Sequence, residues 1–190
     1  CIRDRNEASN HICKILKKLV KKTDSILFVC GPGHNGLDSL FAAHKFLALE
    51  YNISIFLTQQ NIHSEYIKKY DLNNFIIHSY DACDSYTYIV DGIFGYGLNR
   101  DLDNNLIDLI KSINQSPSKV ISLDLPSGLN HATGQPMPVS LRCDHLISLL
   151  TMKRGLFTYQ GRDFWKEITL CKLINKEIIS KNYLVTANDK

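Results

Sequence analysis

Four short stretches of this 190-residue chain set residues able to bind anions, hold cations or move protons beside tight turns. The first, Gly31-Pro32-Gly33-His34-Asn35-Gly36-Leu37-Asp38, satisfies G-x-G-x-x-G. Glycines at that spacing let the backbone approach a phosphate and aim helix amides at it. Asn35 and Asp38 add an amide and a carboxylate to the turn, types that also serve as helix caps. The second, Asp91-Gly92-Ile93-Phe94-Gly95-Tyr96-Gly97-Leu98-Asn99-Arg100-Asp101, opens on an acid and carries three glycines ahead of an arginine. Such a loop suits a pyrophosphate or other anion, or forms a surface turn with a solvated guanidinium. The third, Asp124-Leu125-Pro126-Ser127-Gly128-Leu129, joins an acid to a rigid turn and a hydroxyl, and the fourth is Lys153-Arg154-Gly155-Leu156.

Strands must position these loops. Residues 25–30 (SILFVC) are an apolar run, β-branched and aromatic, between Thr23-Asp24 and Gly31-Pro32-Gly33, which predicts a buried strand. Over 37–49 the apolar residues fall at 37, 40, 41, 43, 46, 47 and 49, the spacing of a helix. Further strands are predicted over 52–57, 75–78, 87–90, 119–123 and 145–150, and helices over 64–72 and 104–113. Strands alternating with helices imply crossover units and an α/β fold, a three-layer Rossmann-like sandwich around a mainly parallel central sheet. Ligands bind such sheets outside the carboxyl ends of the strands, so Asn35, Asp91, Asp124 and Ser127 are expected to line one cleft there. A dinucleotide dehydrogenase also ends its second strand on an acid that holds a ribose. Here that position reads Thr58-Gln59-Gln60, which weighs against hydride transfer.

Composition narrows the class further. With 22 Lys+Arg against 19 Asp+Glu and 44% apolar residues, the chain has the make-up of a soluble globular protein, and its length fits one domain over 1–190. No apolar run approaches the roughly 18 residues that span a bilayer. Residues 1–22 hold seven basic residues against two acidic ones, with no interleaved aromatic residue. Ile12, Ile15, Leu16 and Leu19 share a helical face there, so the lysines read as its solvated back and not as a nucleic-acid surface. The six cysteines form no C-x-x-C pair and none lies at metal-ligand spacing with the seven histidines. Buried reduced thiols in a cytoplasmic protein are the expectation. The chain opens on Cys1 and is expected to be part of a longer polypeptide.

GPGHNGLD, VDGIFGYGLNRD, SLDLPSGLNHATG and CDHLISLLTMKRGLFTYQG together resemble, in order, signatures of the YjeF N-terminal domain family, the NAD(P)H-hydrate epimerases. The resemblance covers most of the chain. It implies an isomerase of nicotinamide-cofactor repair that interconverts the R and S forms of NADHX and NADPHX, in which water has added to C6 of the reduced ring. A dehydratase selective for one epimer would then restore NAD(P)H. Carried over by position, the substrate loop is His34, Asn35, Gly36, Leu37 and Asp38. A second substrate loop is Gly95, Tyr96, Gly97, Leu98, Asn99, Arg100 and Asp101, and Asp124 faces the reacting ring. Asp124 is the expected acid and base, a role that needs a side chain whose proton can move. The resemblance assigns one potassium ion per subunit to Asn35, Asp91 and Ser127, whose oxygens suit a large hard cation. It also implies a homodimer coupled to a dehydratase whose domain is not in this chain. The family usually reads Asn-Asn-Gly-Gly-Asp where this chain has His34 for the first Asn and Leu37 for the second Gly. A branched side chain is therefore expected in the substrate loop. A catalytically silent scaffold for ligand binding or dimerisation, and an NAD-dependent dehydrogenase, stay open as alternatives.

Overall fold

The computed structural model describes residues 2–80, 83–98 and 102–171. Seven strands, β1 (Ser25–Cys30), β2 (Asn52–Leu57), β3 (Ile76–Ile77), β4 (Tyr88–Gly92), β5 (Lys119–Leu123), β6 (Cys143–Leu149) and β7 (Trp165–Cys171), form one sheet. Their order is β3-β2-β1-β4-β5-β6-β7 and each pairing is parallel, so the sheet is more uniform than the mainly parallel one expected.

Side-chain alternation along β1 divides the interior into two cores. Ile26, Phe28 and Cys30 face α1 (Ile2–Leu19) and α2 (His34–Ala48), packing with Ile12, Leu16, Leu40 and Phe46. Leu27 and Val29 face the other way, onto Leu106, Leu109, Ile110 and Ile113 of α4 (Asn104–Gln115). A short helix, α3 (Ser64–Lys69), adds Ile67 to the first core. Burying such a side chain contributes about 1.5–3 kcal/mol, which is why apolar runs buried on both faces become central parallel strands. None of the helices among the described residues is long and apolar enough to cross a membrane.

The order of strands creates the binding position. From β1 the chain moves outward through β2 to β3, then returns to β4 on the other side of β1 and continues outward to β7. Loops leaving the carboxyl ends of β1 and β4 therefore part in opposite directions and open a crevice.

Two elements depart from expectation. Helix α2 starts at His34, three residues before the apolar pattern, because Gly33 serves as its N-cap. His34, Asn35, Gly36 and Leu37 thus form a first helical turn and not a free loop. Strand β7 has no counterpart in the sequence reading. The link from β6 to β7 holds only the 3₁₀ turns Arg154–Leu156 and Gly161–Phe164 where a crossover helix would announce a new strand. At the sheet edge, β7 exposes Lys166 and Glu167, which masks it as loop.

Candidate active site

A cleft of about 730 Å³ opens over the carboxyl ends of β1, β4, β5 and β6, within the size range of small-molecule sites. Pro32, Gly33, His34, Asn35 and Asp38 line it at the start of α2, and Phe94, Gly95, Tyr96, Gly97 and Leu98 line it after β4. Asp124 enters from the end of β5, Leu149 from the end of β6, and Leu150, Thr151 and Lys153 from the segment after it. The N-terminus of α2 offers backbone amides suited to an anion, and the exposed Tyr96 and Leu150 give the mouth an apolar rim.

Asp124 is held in a backbone state few non-glycine residues adopt. Its φ is +67°, and Leu125 N donates across it to Leu123 O at 2.8 Å. A left-handed residue of this kind costs on the order of 1–3 kcal/mol and persists where its surroundings enforce it. Here Asp124 N donates to Ile147 O at 2.8 Å, and Tyr96 N donates to Asp124 Oδ2 at 3.1 Å. A methyl group on Gly95 would lie 2.8 Å from that same Oδ2, so only glycine lets the β4 loop close over the carboxylate. Asp124 Oδ1 is ion-paired with Lys153 Nζ, and both side chains are largely buried. The ammonium also donates to Leu149 O at 2.7 Å and Thr151 O at 3.0 Å, so its three hydrogens are placed.

Beneath the cleft floor lies a second polar group. Asp91, the penultimate residue of β4, is fully buried and accepts four hydrogen bonds, from Ile93 N, Ser122 Oγ, Ser127 N and Ser127 Oγ. Burial pushes its carboxyl above the ordinary carboxylate range, against the pull of the Ser127, Ser122 and Ile93 donors. Phe94 ties this group to the cleft. Its N donates to Ser127 Oγ at 2.9 Å, and its carbonyl accepts from Asn35 Nδ2 at 2.9 Å. Asn35 Nδ2 also donates to Leu123 O at 3.0 Å, while Asn35 Oδ1 is buried without a hydrogen-bond partner.

The sheet thus brings Asn35, Asp91, Asp124 and Ser127 to one place, although only Asn35 and Asp124 line the cleft itself. His34, Asp38, Gly95, Tyr96, Gly97 and Leu98 also line it. Leu37 corrects an expectation. Its side chain, 6% exposed, turns into the α1–α2 core and away from the ligand space, because the first turn of α2 presents Asn35 and Asp38 to the cleft and rotates Leu37 behind them. Gly36 likewise does not line the cleft. An added Cβ there would sit 1.8 Å from Gly31 O, so this glycine serves the close packing of α2 on the β1 loop. Asn99, Arg100 and Asp101 lie outside the described residues. Lys153 was assigned no role from sequence. Its signal was its place after the strand that ends at a fourth loop, and its partner Asp124 is 29 residues away.

Comparison with known proteins follows the same pattern. The chain is 32% identical over 197 residues to a protein of Dictyoglomus turgidum named bifunctional NAD(P)H-hydrate repair enzyme Nnr, with 95% of this chain covered. It spans only 37% of the length of that relative. It is 28% identical over 156 residues to the NAD(P)H-hydrate epimerase of Oenococcus oeni, covering 78% of this chain and 73% of that protein. The crystal structure of yeast ynu0 superposes with a TM-score of 0.68 over 88% of this chain and 74% of its own, at 19% identity, a likeness of fold. The model of the family described as YjeF-related protein N-terminus matches residues 6–155, and the chain belongs to that family.

Proposed function

We propose that the protein is an epimerase of hydrated NADH and NADPH, an isomerase that lets a nicotinamide-repair dehydratase consume both epimers. The observation that carries this reading is Asp124. It is a carboxylate held in a strained left-handed turn, facing a cleft at the sheet's switch point, in a chain of this family. Relatives named NAD(P)H-hydrate epimerase and bifunctional repair enzyme support it.

The chemistry follows from the substrate. The C6 hydroxyl of the hydrated ring is a hemiaminal, and it leaves as water when the ring nitrogen donates its lone pair and an acid protonates the oxygen. Asp124 is the group that handles this proton and steers water to the opposite face. The α2 N-terminus and the glycine loop at Gly95, Tyr96 and Gly97 hold the anionic and planar parts of the dinucleotide. Asn99, Arg100 and Asp101 continue that loop in sequence, and the reading extends it to them.

A potassium ion is part of the same reading. Asn35, Asp91 and Ser127 would hold it: Asn35 Oδ1 is buried and unpartnered, and Phe94, bonded to both Asn35 and Ser127, links it to the Ser127 hydroxyl and the Asp91 carboxylate, an oxygen donor set that fits such an ion. When bound it would offset the Asp91 charge beneath an anionic ligand. Titrating the potassium-free protein should raise its thermal stability, and Asp91→Ala should abolish that response. No shift in the unmodified protein would remove the ion from the account. A homodimer, coupling to a dehydratase domain outside this chain, and a cytoplasmic setting complete the proposal. The buried free thiols Cys13, Cys30, Cys83, Cys143 and Cys171 suit a reducing compartment.

The deciding assay follows hydrated NADH and NADPH mixtures consumed by a dehydratase that accepts only the S epimer. With the protein present, consumption should run to completion. Without it, the R epimer should persist at the slow spontaneous rate. Equal traces would leave the fold serving as a binding scaffold.

A further inference from the structure

We propose that the proton Asp124 exchanges with substrate is stored on Lys153, so that the two side chains form one acid–base unit with Lys153 as the positioning and proton-supplying partner. This rests on the epimerase reading above and concerns where its proton comes from.

The hydrogen bonds around Asp124 argue it. Oδ2 accepts from Tyr96 N at 3.1 Å, and Oδ1 accepts from the Lys153 ammonium. One lone pair on each oxygen is thus taken by a protein donor, and of these two donors only the ammonium carries a proton that can be transferred. Tyr96 N–H is a peptide amide and does not release one. The transferable proton nearest to Asp124 is therefore on Lys153 Nζ.

The surroundings suit that purpose. Lys153 is 8% exposed yet lines the cleft, so it is screened from bulk water and open to the ligand space. Leu149 O and Thr151 O, at 2.7 and 3.0 Å, hold its other two hydrogens and fix its third toward Asp124. Those carbonyls belong to the last residue of β6 and the turn after it, while Asp124 directly follows β5, so parallel pairing of β5 with β6 builds the couple.

The step balances as written. At rest the pair is ammonium and carboxylate. As the C6–O bond breaks, its electrons go to oxygen and the ring-nitrogen lone pair forms the nitrogen–C6 double bond. One proton passes from Nζ through the Asp124 carboxyl to the departing oxygen, which leaves as water. The pair is then a neutral amine beside a carboxylate, net charge −1, opposite a ring of charge +1. Water adds to the other face of C6 through an oxygen lone pair, the ring nitrogen recovers its own, and the proton returns to Nζ. Nothing is oxidised or reduced.

Two variants test this against a purely structural counter-ion. Lys153→Arg keeps the positive charge and donors but does not surrender a proton. It should fold and bind hydrated NADH with a KM within about threefold, while kcat falls about 100-fold or more, the usual scale of a lost general acid. Lys153→Ala should lose kcat similarly and regain it with added ethylammonium, which can give up a proton, but not with guanidinium, which cannot. Where alanine prevents folding, as judged by circular dichroism, the arginine variant decides the matter alone. Near-normal kcat in the arginine variant, or equal rescue by both cations, would overturn the proposal while leaving the epimerase reading intact. Absence of epimerisation by the unmodified protein would instead overturn that reading and this inference with it.

Discussion

In the proposed role Asp124 meets two demands that pull against each other, since it would face ligand and yet stay rigid. Its left-handed backbone is enforced by the Ile147 and Leu123 carbonyls, and its carboxylate by Tyr96 N and Lys153. Asp124→Asn keeps shape and tolerates the left-handed turn, but it cannot relay a proton. Epimerisation in this variant should fall about 100-fold to 10,000-fold with little change in ligand affinity, once the spontaneous rate is subtracted. Equal rates in the two proteins would reassign the acid–base role. The same variant leaves the Lys153 ammonium buried opposite a neutral amide, a loss on the order of 3–5 kcal/mol. Adding Lys153→Met should restore much of that stability and none of the activity, as read by urea denaturation and the coupled assay. A double variant no more stable than Asp124→Asn alone would show that the pair does not carry the cost. At this scale the sequence was informative where a polar residue lies at or shortly after a strand's carboxyl end, as for Asn35, Asp91 and Asp124. It marked Lys153 only as part of a fourth loop and gave it no partner, because only the adjacency of β5 and β6 reveals which acid that lysine meets.

Helix α2 shows how a shift of register at an element's end changes what a residue does. Read as a loop, Leu37 would intrude on substrate and glycine would be the better residue. Read as part of a helix that starts at His34, Leu37 is a core residue packed among α1 and α2. Leu37→Gly should therefore destabilise the fold by about 2–5 kcal/mol for the lost side chain. A further penalty near 1 kcal/mol comes from glycine in a helix. Activity per folded molecule should stay close to that of the unmodified protein. A stable, faster variant would return Leu37 to the ligand space. The strands β1, β2 and β5 begin and end where the sequence reading put them, since each is an apolar run bounded by turn residues. Strand β7 was invisible for the opposite reasons. It mixes Lys166 and Glu167 into its start, lies at an edge, and follows 3₁₀ turns where a crossover helix would mark the next strand.

For the molecule as a whole, the buried thiols set an alkaline limit. Burial pushes Cys30 and Cys143 up to about 12, and Cys13 and Cys171 up to about 11, from an ordinary value of 9.0. Above pH 9 the unfolded chain loses thiol protons that the folded chain keeps, so unfolding becomes more favourable as pH rises from about 9 toward 12. Denaturation midpoints should fall across that window, and a thiol reagent at pH 8 should leave these cysteines unmodified until the protein unfolds. Rapid labelling of Cys13, Cys30, Cys143 or Cys171 in the native protein, located by peptide mapping, would contradict the packing described. The proposed function reads the cleft over the sheet's carboxyl edge, the strained Asp124 and the family membership as serving one chemical event, loss and return of water at C6 of a hydrated nicotinamide. Epimerisation in water carrying a heavy oxygen isotope, followed by mass spectrometry, tests that event most directly. The account predicts that the unmodified protein speeds incorporation of solvent oxygen at C6 together with inversion, and that Asp124→Asn incorporates label only at the spontaneous rate. Inversion without label, or labelling in Asp124→Asn as fast as in the unmodified protein, would contradict it.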